Sequence, residues 1–315
     1  MRVAGLTGQA GMERVAVVDI GSNTVKALLV EREPNGATTV LDERAWAARL
    51  GEGIHAGRLR EAAMRRTLTA LEEVAGLCAH HGVARIACVG TSALRDAANR
   101  DEFISRAGEL GLQVDAIDGT EEARLSYLAV RSDARWRHAA PLMVMDIGGG
   151  STELIVGHVE GSIDARVSLR LGAVRLTEAH LRGDPPTISQ LQEATASAAQ
   201  TLQAFPAPGP GVRLVAVGGT ATNMGSVELT AAGGSLADLH GLHLSAEAVA
   251  GQIRLYSGAT VEQRRTIAGL DPARADVILG GAIIMSQVIA LAGAPGVEIS
   301  CRGLRWGLLF DRFGA

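Results

Sequence analysis

The chain has 315 residues, 47% of them hydrophobic and 20% charged, and its formal net charge is −4. That length accommodates two domains, and that composition excludes a disordered chain. The sequence has no long basic run, which argues against a nucleic-acid arm and against a polybasic membrane patch. Its three cysteines form no CxxC pair, so we expect no disulfide framework and no zinc knuckle, and a reducing cytoplasm as the location.

The first part of the chain combines strand and helix patterns. Two apolar runs flank a Gly-Ser-Asn turn in Val15–Val30 and predict a β-hairpin, and Ala37–Ala48 continues as a third strand. Apolar residues at helical spacing predict a helix over Arg60–His81, which a short buried strand follows at Val83–Val89.

The pattern continues with a loop leading into a helix over Thr91–Leu110 and a strand at Val114–Ile117. A further helix is predicted to open after Asp118, with Thr120 as its N-cap, and to run to Val130. These segments complete one unit of three strands, helix, strand and helix.

A polar segment that ends in proline, Arg131–Pro141, marks the predicted domain boundary. It divides the chain into an N-terminal lobe, 13–138, and a C-terminal lobe, 139–315. After it the hairpin pattern restarts at Leu142–Gly157, with a third strand at Ile163–Leu169. The same series of elements therefore begins again, which indicates an internal duplication within an α/β architecture.

The second unit continues with a helix at Thr187–Ala204 and a strand at Val212–Val217 that ends in VGGTATN. A loop is predicted at Gly233–Leu242, followed by four helical patterns. The most apolar stretch, Val277–Ala294, contains a Gly-Gly pair and polar residues, so we expect a buried helix there rather than a membrane span.

The two predicted hairpins carry the same device, an Asp-Ile-Gly sequence followed by a turn rich in Gly, Ser, Thr or Asn. Glycine lets backbone N–H groups approach phosphate oxygens closely, and hydroxyl and amide groups add donors. VGGTATN is a third such turn, placed at the start of a helix, where anions bind favourably. The predicted phosphate-binding residues are Gly21, Ser22, Asn23 and Thr24 in the first turn, Gly148, Gly149, Gly150, Ser151 and Thr152 in the second, and Gly218, Gly219 and Thr220 in the third.

The aspartate at the end of each hairpin's first strand points to a metal site. An ionised carboxylate cannot donate to phosphate, but it binds Mg²⁺, directly or through water, and the cation then bridges to phosphate. We therefore expect Asp19 and Asp146 to hold Mg²⁺ or Mn²⁺ from opposite sides of a cleft.

Eight sequence blocks resemble, in the same order, those of the exopolyphosphatase/guanosine pentaphosphate phosphatase (Ppx/GppA) family. They are DIGSNT at 19–24, RLGEG at 49–53, GTSALRDAANRDEF at 90–103, GTEEARLSYLAV at 119–130, DIGGGSTEL at 146–154, LGAVRLTE at 171–178, GGTATN at 218–223 and DPARADVILGGA at 271–282. The resemblance spans nearly the whole chain. It implies the two-lobed superfold of actin, sugar kinases and heat-shock ATPases, with duplicated ribonuclease-H-like domains around a cleft. It also implies a homodimer.

The resemblance also implies roles for individual side chains. It places the catalytic glutamate in the EEAR block at Glu122, with Glu121 as the alternative, and gives Glu153 the second carboxylate role. Arg95 in the SALRDAAN block is the expected phosphate-binding arginine. Lys26, the only lysine, lies in the return strand of the first hairpin and is expected to face away from the cleft.

The predicted reaction is hydrolysis of the terminal phosphoanhydride of inorganic polyphosphate, with release of orthophosphate. The alternatives are a guanosine pentaphosphate 5′-phosphohydrolase, a phosphotransferase of the same fold and a non-catalytic polyphosphate sensor. Long family members have extra C-terminal helical domains, and since this sequence stops at Ala315 we expect short chains as substrate. One block departs from the family's GLREG, because Trp306 stands in place of the glutamate.

Overall fold

The computed structural model describes residues 12–33, 36–54, 57–139, 141–157 and 162–314. Within these ranges the chain forms two mixed β-sheets with helices packed against them, so the predicted α/β class is confirmed. No helix in the described ranges is long and apolar enough to cross a membrane.

The first sheet is built from the N-terminal part of the chain. Its elements are β1 Glu13–Ile20, β2 Val25–Arg32, β3 Thr38–Trp46, α1 Glu61–His80, β4 Arg85–Gly90, α2 Ser92–Asp96, α3 Arg100–Glu109, β5 Val114–Ala116 and α4 Gly119–Arg131. The strand order is β3-β2-β1-β4-β5. The first three strands are antiparallel, and β4 and β5 continue the sheet parallel to β1.

The second sheet repeats this plan with additions. Its elements are β6 Leu142–Ile147, β7 Thr152–Gly157, β8 Ile163–Leu169, α5 Ala173–His180, α6 Ile188–Leu202, β9 Arg213–Val217, α7 Gly218–Ala231, β10 His243–Ser245, α8 Ala246–Ser257, α9 Val261–Arg264, α10 Ile278–Ala292, β11 Gly296–Ile299 and α11 Leu304–Phe313. The strand order is β10-β11-β9-β6-β7-β8. In both sheets the hairpin strand that carries the Asp-Ile-Gly sequence is central, so the hairpin turns lie at equivalent sheet edges.

The structure corrects some local predictions. The N-cap of α4 is Asp118 and not Thr120, because the Asp118 carboxylate accepts the Glu121 N–H at 2.8 Å. Strands β10 and β11 were not predicted, since three or four residues are too few to show alternation. Helix α5 was missed too, within the LGAVRLTE block.

The apolar stretch forms α10, a buried helix as predicted. Its two glycines allow close packing, because a Cβ at Gly280 would lie 2.6 Å from Thr177 Oγ1 and one at Gly281 would lie 2.6 Å from Thr220 Cγ2. The helix therefore holds α5 and the third glycine-rich turn in place.

Two helices cross between the sheets. Helix α4 follows the first sheet but packs on β6, β7 and β8, and α11 follows the second sheet but packs on β1, β2 and β4. They also pack on each other, so closely that a Cβ at Gly307 would lie within 1.9 Å of the Leu125 carbonyl oxygen. This pair ties the two sheets together. The lobes predicted at 13–138 and 139–315 stay a prediction, since each exchanges a helix with the other.

Candidate active site

A cavity of about 500 Å³ lies between the two sheets. Its walls come from both hairpin turns, the start of α7, the segment before α10 and the start of α11. Ten of the predicted phosphate-binding residues line it, together with both predicted metal ligands and Glu122: Asp19, Gly21, Ser22, Asn23, Thr24, Glu122, Asp146, Gly148, Gly149, Gly150, Ser151, Gly218 and Gly219.

The first turn is braced by the RLGEG block. The Ser22 carbonyl accepts the Gly51 N–H at 2.8 Å and the Asn23 carbonyl accepts the Arg49 N–H at 2.9 Å. Only glycine fits at position 51, because a Cβ there would lie 2.9 Å from the Ser22 Cβ. These two carbonyl groups point toward the RLGEG block, so the opposite side of the turn faces the cavity.

The second turn is braced in the same way by the start of α5. The Gly148 carbonyl accepts the Ala173 N–H at 2.9 Å, and the Gly149 carbonyl accepts the Val174 N–H at 3.0 Å. The tip also touches the first turn, since a Cβ at Gly150 would lie 2.9 Å from Ser22 Oγ. The two turns therefore meet at one end of the cavity.

Two glycines of the third turn have close neighbours. Gly218 has a φ of 87°, which favours glycine, and a Cβ there would lie 2.5 Å from Asp146 Oδ1. At Gly219 a Cβ would lie 2.2 Å from the guanidinium carbon of Arg274. The glycines thus let a carboxylate and an arginine approach the start of α7 from opposite sides.

Asp19 and Asp146 face the cavity from the ends of β1 and β6. Burial raises the pKa of both carboxyl groups, and the nearby Lys26 ammonium opposes that rise. Asp146 also accepts a hydrogen bond from the Ser126 hydroxyl at 2.8 Å. The Lys26 ammonium does not offset the effect of burial, which suits these carboxylates to an additional cation.

Lys26 lines the cavity, and the expectation that it faces away is wrong. Asp19 and Lys26 are directly opposite in the β1–β2 register, and opposed residues project from the same face of a sheet. Burial lowers the pKa of the Lys26 ammonium, and Asp19 opposes that shift. The only lysine of the chain is thus part of the site.

Glu122 reaches the cavity from the first turn of α4 and is 7% exposed. Its Oε2 accepts a hydrogen bond from Arg95 Nη1 at 2.9 Å. Burial raises the pKa of this carboxyl to about 7, against the lowering effect of Arg95. A carboxylate of that pKa at the cavity wall is suited to accept a proton near neutral pH. Glu121 is engaged elsewhere, in an ion pair with Arg124 at 2.7 Å.

Glu153 lies behind the second turn, fully buried and outside the cavity wall. Its Oε1 accepts a hydrogen bond from Ser168 Oγ at 2.6 Å, while its Oε2 has no partner among the described residues. Burial raises the pKa of this carboxyl well above its usual range, and the charge of Glu122 adds to the rise.

Three predicted phosphate contacts also lie outside the wall. Arg95 is bound to Glu122, the Thr152 hydroxyl donates to the Leu171 carbonyl at 2.5 Å, and the Thr220 hydroxyl lies 3.4 Å from the Ile147 carbonyl. Their phosphate-binding roles stay predictions. In this structure Arg95 orients the candidate base, and the two threonines brace the turns.

The sequence model of the Ppx/GppA phosphatase family matches residues 29–314. Exopolyphosphatase 2 of Mycobacterium tuberculosis is 33% identical over 296 residues, which cover 88% of this chain and 90% of that protein. A solved exopolyphosphatase-like protein gives a TM-score of 0.86 at 31% identity and covers 96% of this chain and 98% of its own. The Aquifex aeolicus member of the Ppx/GppA family gives 0.80 at 29% identity, with the same coverage.

The chain belongs to the Ppx/GppA phosphatase family. It is accordingly a hydrolase that acts on phosphoanhydride bonds, as predicted. The likeness to the solved structures also confirms the predicted two-lobed fold.

This Ppx/GppA phosphatase has two further cationic residues that the sequence interpretation did not assign. Arg274 lines the cavity and donates through Nη2 to Thr24 Oγ1 at 3.2 Å, across the two lobes. Arg305 also lines it, and donates to the Ala27 carbonyl at 3.1 Å and to Glu43 at 2.6 Å. Both arginines lie in sequence blocks that were compared with the family, and only this membership could have pointed to them from the sequence.

The departure at Trp306 lies outside the cavity. Its ring packs among the apolar residues between α4, α11 and the first sheet, and the Arg302 guanidinium lies 4.5 Å from the ring centroid. A large apolar ring on this face of α11 is therefore a packing residue between the crossing helices.

Proposed function

We propose that this phosphatase is an exopolyphosphatase that removes terminal phosphates from short inorganic polyphosphate. The observation that carries the proposal is Glu122, a carboxylate with a pKa of about 7, placed in one cavity with two opposed glycine-rich turns. The similarity to Exopolyphosphatase 2 supports polyphosphate as the substrate. A cytoplasmic location and a homodimer stay predictions.

The cavity's charges support a substrate that brings cations with it. Five acidic and three basic side chains line it: Asp19, Glu43, Glu122, Asp146, Asp271, Lys26, Arg274 and Arg305. An acidic excess repels a polyanion unless metal ions accompany it. Three basic groups provide contacts for only a few phosphates, which is why we propose short chains.

Asp19 and Asp146 fit a divalent cation such as Mg²⁺ or Mn²⁺. Mg²⁺ is commonly held by one or two carboxylates and completed by water and substrate phosphates. The described residues contain no group of three or more metal-binding side chains, so water and phosphate oxygens would have to complete the coordination of a cation held by these two aspartates. When bound, the cation would neutralise phosphate charge and polarise the terminal phosphoryl group.

In the proposed mechanism Glu122 accepts a proton from the attacking water. The water oxygen bonds to the terminal phosphorus, and the opposite phosphorus–oxygen bond breaks to release a chain one unit shorter. Arg95 holds the Glu122 carboxylate in place at 2.9 Å. The N–H groups of the turns and Lys26 stabilise charge on the phosphoryl oxygens, which provides most of the catalysis in phosphoryl transfer.

The cavity wall offers few side chains suited to bind a nucleoside. No aromatic side chain lines the cavity within the described ranges, so a base has no ring on which to stack. Arg274 also covers the third turn at Gly219. These features favour inorganic polyphosphate over guanosine pentaphosphate.

The test is phosphate release from short polyphosphate, long polyphosphate, ATP and guanosine pentaphosphate, each with and without Mg²⁺ and without any acceptor. We expect the highest kcat/KM for short polyphosphate, with Mg²⁺ required. A higher kcat/KM for guanosine pentaphosphate would replace the proposal with that activity. In a parallel reaction with an added nucleotide acceptor, transfer of the terminal phosphate to that acceptor without release of orthophosphate would indicate a phosphotransferase. Binding with neither release nor transfer would indicate a sensor.

A further inference from the structure

Ser168, on β8, lies where the two candidate acids and Arg95 meet. Its Oγ donates to Glu153 Oε1 at 2.6 Å and accepts from Arg95 Nη2 at 3.4 Å. The other arm of the same guanidinium, Nη1, donates to Glu122 Oε2 at 2.9 Å. One hydroxyl and one guanidinium therefore link Glu153 to Glu122.

The donor and acceptor in each of these hydrogen bonds follow from the chemistry of the side chains. A guanidinium can only donate, so the Ser168 oxygen is the acceptor of the Arg95 contact. The hydroxyl proton is then directed to Glu153, at the shorter of the two distances. Among the described side chains, Ser168 is thus the one that hydrogen-bonds to both Arg95 and Glu153.

Packing holds the first turn of α4 against the same serine. A Cβ at Gly119 would lie 2.2 Å from the Ser168 Cβ and 2.5 Å from its Oγ, so glycine is required for this approach. Glu122 lies three residues later, within that first turn. A change at position 168 is therefore transmitted to Glu122 both through Arg95 and through the backbone of α4.

We propose that Ser168 is a positioning residue that fixes Arg95 between Glu122 and Glu153 and so directs the Glu122 carboxylate at the attacking water. Ser168 does not line the cavity and does not touch substrate. Its effect therefore falls on the chemical step and not on substrate binding. The inference rests on the proposed function, because it presumes that Glu122 is the base.

The test compares kcat, KM and Tm for the full chain with Ser168→Ala, Ser168→Cys and Ser189→Ala. Ser189 is the matched control, an exposed serine on α6 that donates to Glu193 at 2.9 Å, far from the cavity. We expect Ser168→Ala to lower kcat about 10- to 100-fold with KM unchanged, as for misplaced catalytic groups, and with only a small fall in Tm from the lost hydrogen bond. Ser168→Cys keeps a weak donor without adding a branch against Gly119 and should restore part of kcat, and Ser189→Ala should match the wild type.

A double-mutant cycle with Arg95→Lys separates positioning from packing. Lysine keeps the charge but loses the forked geometry, so Ser168→Ala should cost little more in that background. Additive losses would overturn the inference, as would a wild-type kcat for Ser168→Ala, or a parallel fall of Tm and kcat in both Ser168 variants. If the wild type releases phosphate from none of the substrates, the proposed function fails first and this inference fails with it.

Discussion

The two hairpins that face each other across the cavity have the same backbone and opposite chemistry. Each has an aspartate as the next-to-last residue of its first strand and closes its turn with a hydrogen bond from the glycine N–H to a carbonyl three residues later. The residue opposite the aspartate differs. It is Lys26 opposite Asp19 in the first hairpin and Glu153 opposite Asp146 in the second.

This difference shows how a duplicated element can acquire two functions. The turn geometry is shared, so both hairpins can present N–H groups to phosphate. The cross-strand position lies outside the turn, so its side chain can change without disturbing the turn. In the first hairpin it contributes a cation to the cavity, and in the second a buried acid that reaches toward Glu122. We infer that the first hairpin binds and the second also supports the chemistry.

The two hairpins share an aspartate at the cavity. Replacing these aspartates should lower kcat more than changing the residues that differ between the hairpins. Asp19→Asn and Asp146→Asn should each lower kcat about 10²- to 10³-fold, because each removes charge from the proposed cation site. Higher Mg²⁺ should recover part of the loss. Asp101→Asn, at an exposed position on α3, is the control. Full activity in either hairpin variant would remove that hairpin from the metal site.

The first hairpin differs from the second in having Lys26 opposite its aspartate, so substitutions of Lys26 test whether this hairpin binds phosphate. Lys26→Met should raise KM for polyphosphate about 10- to 100-fold, since a charge-assisted phosphate contact is lost. Lys26→Arg keeps the charge and should stay close to the wild type. Steady-state kinetics on a polyphosphate of fixed length provides the measurement. An unchanged KM in Lys26→Met would show that this hairpin does not bind through its lysine.

The pH dependence tests whether the chemistry depends on the carboxylate near the second hairpin. Glu122 must be ionised to accept a proton, and burial raises its pKa to about 7. We therefore expect kcat/KM to fall about tenfold per pH unit below that pKa and to level off above it. A profile that stays flat down to pH 5 would contradict Glu122 as the base.

The smallest expected effect is a change in the free energy of unfolding on substitution of Glu153. Burial raises the pKa of this carboxyl in the folded state, so its stabilising contribution is present below the unfolded pKa of about 4.3 and is lost as pH rises toward the folded pKa. Glutamine does not ionise in this pH range, so Glu153→Gln should lack this pH-dependent loss of stability. We expect it to be more stable than the wild type by about 1 to 3 kcal/mol at pH 8, with the difference shrinking at pH 5, by chemical denaturation. An equal difference at both pH values would contradict the raised pKa.

The repeated units were predictable because the hairpin patterns and the Asp-Ile-Gly sequences stand out locally. Lys26 was misplaced because a hairpin's register depends on the length of its turn. With Ile20 paired to Val25, counting outward places Asp19 opposite Lys26. The short strands β10 and β11 left no detectable period.

Contacts between distant segments could not be predicted. Arg274 reaches Thr24 only because α10 and the crossing helices bring the lobes together. The choice between Glu121 and Glu122 depends on the rotation of α4 about its axis, which packing on both sheets determines. Ser168 lies in a strand with no motif of its own, and only the fold places it against Glu153.

The central claim is that Glu122 activates water in the cavity between the two hairpins. The most direct measurement is phosphate release from short polyphosphate by Glu122→Gln beside Glu121→Gln. Both substitutions remove one carboxylate from the same helix turn, but Glu121 is paired with Arg124 and does not line the cavity. We predict a loss of about 10²- to 10⁴-fold for Glu122→Gln with an unchanged Tm, and near wild-type release for Glu121→Gln. Retained activity in Glu122→Gln would contradict the account.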